Sequence, residues 1–280
     1  MVFSVNRMSW FRRLCVALLL ASGVVLMFSL LENFLVYPGW SLPISGDWSP
    51  VGISREDVRF TSADGTRLHG WFLPHPRTVA HVLFCHGNGE NVAHLAGYLN
   101  AMREDLAISI FAFDYRGYGK SEGRPFEKGV LEDGSAAHQW LARRAGISSD
   151  QVVLMGRSLG AAVAVDAAAR NGARALVLTG AFPSLPDVAA RHYAFLPVRA
   201  FMRNRYESHS RIQAFSGPLL QSHGTQDEIV PIELGRALFD AAPCQPKRFI
   251  ALPDTGHNDP APASYYHELR DFLHSLPDLE

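Results

Sequence analysis

Cysteine is scarce in this sequence: Cys15, Cys85 and Cys244 stand at unrelated positions. Thiols so spaced form neither a disulfide framework nor a metal-ligand pattern. No H-E-x-x-H or other compact ligand cluster appears, so no metal and no other cofactor is expected. Cys85, inside an apolar run, reads as a small buried hydrophobe. Excess charge of either sign is also missing. The 26 Lys and Arg against 27 Asp and Glu leave a formal net charge of −1, which removes the electrostatic case for a nucleic-acid partner. The glycine-rich stretch "HGNGEN" at 86–91 lacks both the P-loop lysine and the dinucleotide spacing, so it is not expected to cradle phosphate. Internal repeats and low-complexity tracts are absent too.

What the chain has is apolar mass. Hydrophobic residues make up 48% of its 280 positions, enough to bury a substantial core. The first concentration of them is "LCVALLLASGVVLMFSLL" at 14–31, which carries no charge. As a helix it would span roughly 27 Å, close to the hydrocarbon thickness of a bilayer. Arg7, Arg12 and Arg13 precede it, and no Lys or Arg follows before Arg55. The expectation is a single-pass transmembrane anchor over 14–31, with residues 1–13 cytoplasmic and the catalytic domain on the opposite side, periplasmic, lumenal or extracellular. A cleavable signal peptide ending near "ASG" at 21–23 and a buried core helix are the alternatives.

Residues 32–56, with Pro38, Pro43 and Pro50 and Gly39 and Gly46, read as an irregular linker. From residue 57 to 280 apolar β-rich runs alternate with helical patterns, the signature of an α/β domain. The candidate strands are "DVRFTS", "LHGWFL", "HVLFCH", "ISIFAFDY", "QVVLMG", "ALVLTG", "PLLQSH" and "RFIALP". The first two form a hairpin across "ADG", while helix-length segments between several later ones suit parallel crossovers. Helices are expected to begin near Glu90, Phe126, Leu159, Ile232 and Ala261. Residues 181–217 are too long for a simple crossover and read as a small lid with two short helices. The lid carries Arg191, Arg199, Arg203, Arg205 and Arg211 against Asp187 and Glu207. Those arginines either meet an anionic headgroup or substrate carboxylate, or form a solvated helix face.

"GRSLG" at 156–160 fits the G-x-S-x-G nucleophile elbow, in which a sharp strand-to-helix turn exposes a serine. The pentapeptide alone arises by accident in roughly one of ten chains of this length. Here a strand precedes it and the small-residue helix "AAVAVDAAAR" follows. A serine hydroxyl needs a base, and the base an orienting carboxylate. In this fold class they follow in the order acid then histidine, each after a later strand. Asp227 in "HGTQDEIVP" and His257 in "GHND" meet that order. Glu228 neighbours Asp227, while Asp254 and Asp259 flank His257 too closely to orient its ring. The developing oxyanion needs N–H donors, expected from the backbone of Leu159 and of Asn88. His86 reads as structural. Arg157 either lines the pocket or pairs with a carboxylate.

Together "HGNGEN", "DYRGYGKSEG", "GRSLG", "HGTQDEIVP" and "GHND" resemble the α/β-hydrolase superfamily over essentially everything from residue 57 onward. They look like its small-lid branch, which contains N-terminally anchored esterases and depalmitoylases and sequences labelled serine aminopeptidases by similarity. The resemblance implies a mostly parallel eight-stranded sheet flanked by helices, with a short helical lid. It implies Ser158 as nucleophile, Asp227 as acid, His257 as base, Asn88 and Leu159 as oxyanion hole, and Arg116 of "DYRGYGKSEG" as a tie between loops. The expected activity is serine-dependent hydrolysis of carboxylic esters, acyl-lipid esters or thioesters, on a small-molecule or lipid substrate. A serine peptidase and a catalytically silent membrane-tethered binding protein are the alternatives. The oligomeric state is left open.

Overall fold

The computed structural model describes residues 4–41 and 45–277. The ends of the chain at 1–3 and 278–280, and residues 42–44 with the linker's Pro43, lie outside the described residues. Strands β1 (Glu56–Thr61) and β2 (Arg67–Leu73) form the expected hairpin. Asp64 Oδ1 accepts the Thr66 N–H at 3.1 Å, the local bond by which an Asp closes a turn. Six further strands follow at β3 (His81–Cys85), β4 (Ser109–Asp114), β5 (Val153–Arg157), β6 (Ala175–Thr179), β7 (Leu219–Gly224) and β8 (Lys247–Leu252).

These eight form one mixed sheet in the order β1-β2-β4-β3-β5-β6-β7-β8. The β1–β2 and β2–β4 pairings are antiparallel and the rest parallel. Every residue of β4 is buried, as in a strand covered on both faces. Its period of two splits the apolar residues between two cores. Phe111 and Phe113 join one, Ile110 and Ala112 the other. Helices α4 (Glu127–Ala145), α5 (Leu159–Asn171) and α9 (Ile232–Ala241) cover the first face; α3 (Ala96–Leu106) and α10 (Ala263–His274) cover the second. Residues Leu159 to Ala168 of α5 are all buried. A helix so largely apolar belongs in the interior, its one buried acid, Asp166, being paired with Arg170 and Arg211, and its alanines let it approach the sheet closely.

Helix α3 starts at Ala96 rather than near Glu90. Asn91 Oδ1 accepts the N–H groups of Ala93 and His94, and Asp114 Oδ1 accepts that of Val92. Side-chain acceptors thus hold 91–94 in turns before helical bonding can begin. The lid follows β6 as α6 (Leu185–His192), α7 (Val198–Phe201), α8 (Ser208–Arg211) and a 3₁₀ turn at Ile212–Ala214, one short helix more than expected. Ser184 caps α6 by accepting the Asp187 N–H.

The N-terminal expectation is corrected. Among the described residues no helix is long and apolar enough to cross a membrane. The transmembrane anchor over 14–31, and with it the single-pass placement with a cytoplasmic N-terminus, is not sustained. Helix α1 (Ser4–Val36) does not end with the apolar run; it passes through the beginning of the expected irregular linker and enters the fold. Glu32 is buried and accepts N–H groups from Arg203 at 2.9 Å and Asn204 at 2.7 Å, plus Asn204 Nδ2 at 2.9 Å. Tyr37, fully buried, donates to Asn204 Oδ1 at 2.7 Å. A short helix α2 (Pro38–Ser41) follows. The carboxylate at the end of α1 is therefore a fastening for the lid.

Candidate active site

Strand β5 delivers its last residue to the C-terminal edge of the sheet, where ligand sites of open α/β sheets collect. Ser158 follows with φ 54° and ψ −119°, and α5 starts at the next residue. A positive φ at a residue with a Cβ is strained, on the order of 1–3 kcal/mol, and persists only where the surroundings over-determine it. The two flanking glycines permit that. A Cβ on Gly156 would lie 2.3 Å from the Gly160 carbonyl oxygen, and one on Gly160 would lie 2.0 Å from that of Cys85. The elbow can fold this tightly only with hydrogen at both positions.

Ser158 Oγ lies 3.0 Å from His257 Nε2, and His257 Nδ1 lies 2.7 Å from Asp227 Oδ2. Three residues from the loops after β5, β7 and β8 thus meet at one edge of the sheet. Asp227 Oδ1 accepts the N–H groups of Ile229 and Val230 at 3.0 and 2.7 Å. Burial alone would raise the Asp227 carboxyl. Hydrogen bonds from His223, His257 and the Val230 N–H outweigh it and hold the group well below the usual carboxylate range. The rival acids are engaged elsewhere: Asp254 Oδ1 accepts from Gln226, Asp259 Oδ2 accepts the Gly256 N–H, and Glu228 is exposed.

A cavity of about 310 Å³ opens over Ser158. Lid residues Phe182, Leu185 and Val188, Val36 from the end of α1, and Asn88 and Leu159 also line it. Leu159 is the first residue of α5, where a backbone N–H has no carbonyl one turn back to donate to. The side chain of Asn88 ties its loop to the rest of the fold: Nδ2 donates to the Val36 carbonyl and Oδ1 accepts from Tyr118. His86 is fully buried against Tyr115, and burial lowers its pKa. Burial likewise pushes the Cys85 thiol up.

Sequence reasoning missed two residues. His223, fully buried at the end of β7, places Nε2 2.7 Å from the Val230 carbonyl and 3.3 Å from Asp227 Oδ2, bracing the acid loop. Glu90 forms an ion pair with Arg157 at 2.9 Å and accepts the Gly87 N–H at 2.8 Å. Both lie inside stretches singled out in the sequence, "HGTQDEIVP" and "HGNGEN", but nothing in either stretch distinguishes a bracing side chain from its neighbours, and Glu90's ion-pair partner Arg157 is 67 residues away. Arg157 both lines the cavity and pairs with that carboxylate. Four of the five lid arginines pair within the protein: Arg199 with Asp187, Arg203 with Glu32, Arg205 with Glu207, and Arg211 with Glu127 and Asp166.

Known proteins are similar to this chain in sequence and in fold. The family described as "Serine aminopeptidase, S33" matches residues 76–207. An uncharacterized protein of Mycobacterium tuberculosis is 38% identical over 244 residues, 86% of either chain. The alpha/beta hydrolase domain-containing protein WAV2 of Arabidopsis thaliana is 30% identical over 264 residues, covering 86% of this chain and 85% of its own. An esterase of Pyrococcus furiosus superposes with a TM-score of 0.70 at 19% identity, over 84% of this chain and 96% of its own. At that identity the likeness is one of fold. The relatives, the sheet order and the elbow converge on one assignment: the chain belongs to the α/β-hydrolase superfamily.

Proposed function

We propose that this protein is a serine hydrolase that cleaves carboxylic esters through an acyl-enzyme. The observation that carries the reading is the 3.0 Å approach of Ser158 Oγ to His257 Nε2, with Asp227 behind the ring at 2.7 Å. In this reading His257 takes the Ser158 proton as Oγ attacks the ester carbonyl, forming the C–O bond of a tetrahedral intermediate. The ionised Asp227 accepts from Nδ1–H, fixes the tautomer that leaves Nε2 basic, and stabilises the imidazolium. The backbone N–H groups of Asn88 and Leu159 stabilise the oxyanion, an interaction worth about 3 kcal/mol per donor in such sites. Collapse expels the alcohol, protonated by His257; water then repeats the cycle and releases the acid.

A peptidase reading draws on the description of the matching family. Among the described residues lining the cavity, Glu90 is the one carboxylate, and Arg157 already neutralises it. An aminopeptidase needs an acid to hold the substrate amine, so the geometry favours esters. The lining of Phe182, Leu185 and Val188 suits an uncharged acyl group, a thioester's included. The test is turnover of p-nitrophenyl butyrate beside aminoacyl-p-nitroanilides. The ester is expected to be cleaved and the anilides left intact, with Ser158→Ala lowering ester turnover at least about ten-thousandfold. Anilide cleavage abolished by the same substitution would move the protein to the peptidases, and no turnover of either would count against both.

A further inference from the structure

Behind the catalytic cavity lies a second one of about 270 Å³, lined by Phe84, Tyr98, Met102, Met155, Tyr265 and Tyr266 among others. These side chains come from β3, α3, β5 and α10 and make an apolar, aromatic surface of the kind that takes up hydrocarbon. Arg157 and Asn258 line both cavities, so the two spaces share a wall.

That wall is held from several sides. Arg157 Nη1 donates to Glu90 Oε1 at 2.9 Å, while Nη2 donates to the His257 carbonyl and to Asn258 Oδ1, both at 3.1 Å. Glu90 is fixed in turn by the Gly87 N–H on its other oxygen. The side chains of Arg157 and Glu90 are only 27% and 24% exposed. Charge-assisted bonds at partly buried groups are stronger than those of a solvated arginine, and the planar guanidinium spends its donors on fixed acceptors. An apolar chain growing away from Ser158 in this direction meets an ion pair rather than the aromatic surface behind it.

We propose that Arg157, held in place by Glu90, is a partition that closes the second chamber to substrate and so limits the acyl chain this site accepts to short ones. The proposal rests on Ser158 being the nucleophile. A purely supporting role for Arg157, holding the loop that carries His257, would slow all esters alike and leave their ratio unchanged. A steric wall acts on the ratio.

The experiment measures kcat/KM for p-nitrophenyl butyrate and p-nitrophenyl decanoate with the full chain. Wild type is expected to prefer the butyrate. Arg157→Ala should raise the decanoate-to-butyrate ratio at least about tenfold, the scale on which a hydrophobic pocket discriminates by size. Arg157→Met, which removes the charge but keeps the bulk, should leave the ratio near that of wild type. Ala261→Trp, a bulky side chain at a residue that lines the second chamber, should cancel the gain when combined with Arg157→Ala. If Arg157→Ala does not fold, Arg157→Ser, which also removes the bulk but leaves a hydroxyl for the polar surroundings, should move the ratio the same way. The proposal is overturned if wild type turns over both esters equally well, if Arg157→Ala (or Arg157→Ser in its place) leaves the ratio unchanged, or if Arg157→Met raises it as much as Arg157→Ala. Fluorophosphonate labelling of each variant separates the two failures. Labelling lost with Ser158→Ala but an unmoved ratio sinks the partition alone; wild type that takes no label at Ser158 sinks the nucleophile and the partition together.

Discussion

At Asp227 one carboxylate performs two tasks with different oxygens. Oδ1 takes two backbone N–H groups and fixes its loop, while Oδ2 faces His257. Replacement by Asn keeps an oxygen for the loop but presents the ring with a neutral amide. Asp227→Asn is therefore expected to fold and to lose about ten-thousandfold in kcat. The same group links stability to pH. Its folded pKa is depressed, so its contribution is complete above the ordinary Asp range of about 3.9. That contribution is lost as pH falls through the folded value. Wild type should be the more stable form at neutral pH, and the gap in urea midpoint between it and Asp227→Asn should narrow on acidification. A gap independent of pH would contradict this. The three side chains that meet at the candidate site were legible from sequence because the chemistry proposed for them restricts the residue type: a serine between two glycines, then an acid and a histidine after later strands. His223 and Glu90 were not, because a brace can be any side chain with a hydrogen-bonding end, and only the packing says which.

Among the elements, the central strands were readable because a sheet buried on both faces demands continuous apolar runs, as in β4, while edge strand β1 showed itself by the alternation of buried and outward-facing residues. Helix α3 began later than its pattern suggested because Asn91 and Asp114 hold the intervening N–H groups, and Asp114 lies on another strand. The end of α1 was the least legible element. Its run at 14–31 carries a strong hydropathy signal, whereas the contacts that build Glu32 into the fold lie more than 170 residues away in sequence, at Arg203 and Asn204. Those contacts give a measurable consequence. Glu32→Ala strands buried N–H donors of the lid and should cost about 2–4 kcal/mol of unfolding free energy. Glu32→Gln keeps an acceptor oxygen and should cost about 1 kcal/mol. Equal urea midpoints for wild type and Glu32→Ala would show that α1 does not fasten the lid.

On the scale of the whole molecule, two cores hold the sheet rigid, and its C-terminal edge presents loops from three separate strands. The parallel order β5-β6-β7-β8 sets the serine, acid and histidine loops along that edge, and the lid roofs them with apolar side chains. Arg116 ties the β1–β2 turn to α4 through Asp64 and Asp133 at 2.7 Å each, the linking role its motif implied. In the function proposed, this framework turns an ordinary hydroxyl into a nucleophile. The most direct measurement is the site and rate of covalent modification by a fluorophosphonate, located by peptide mass mapping. A single adduct on Ser158 is expected, formed at least about a thousandfold more slowly when His257→Gln removes the base. An adduct on another residue, or a rate at Ser158 indifferent to His257→Gln, would remove Ser158 from the role proposed for it.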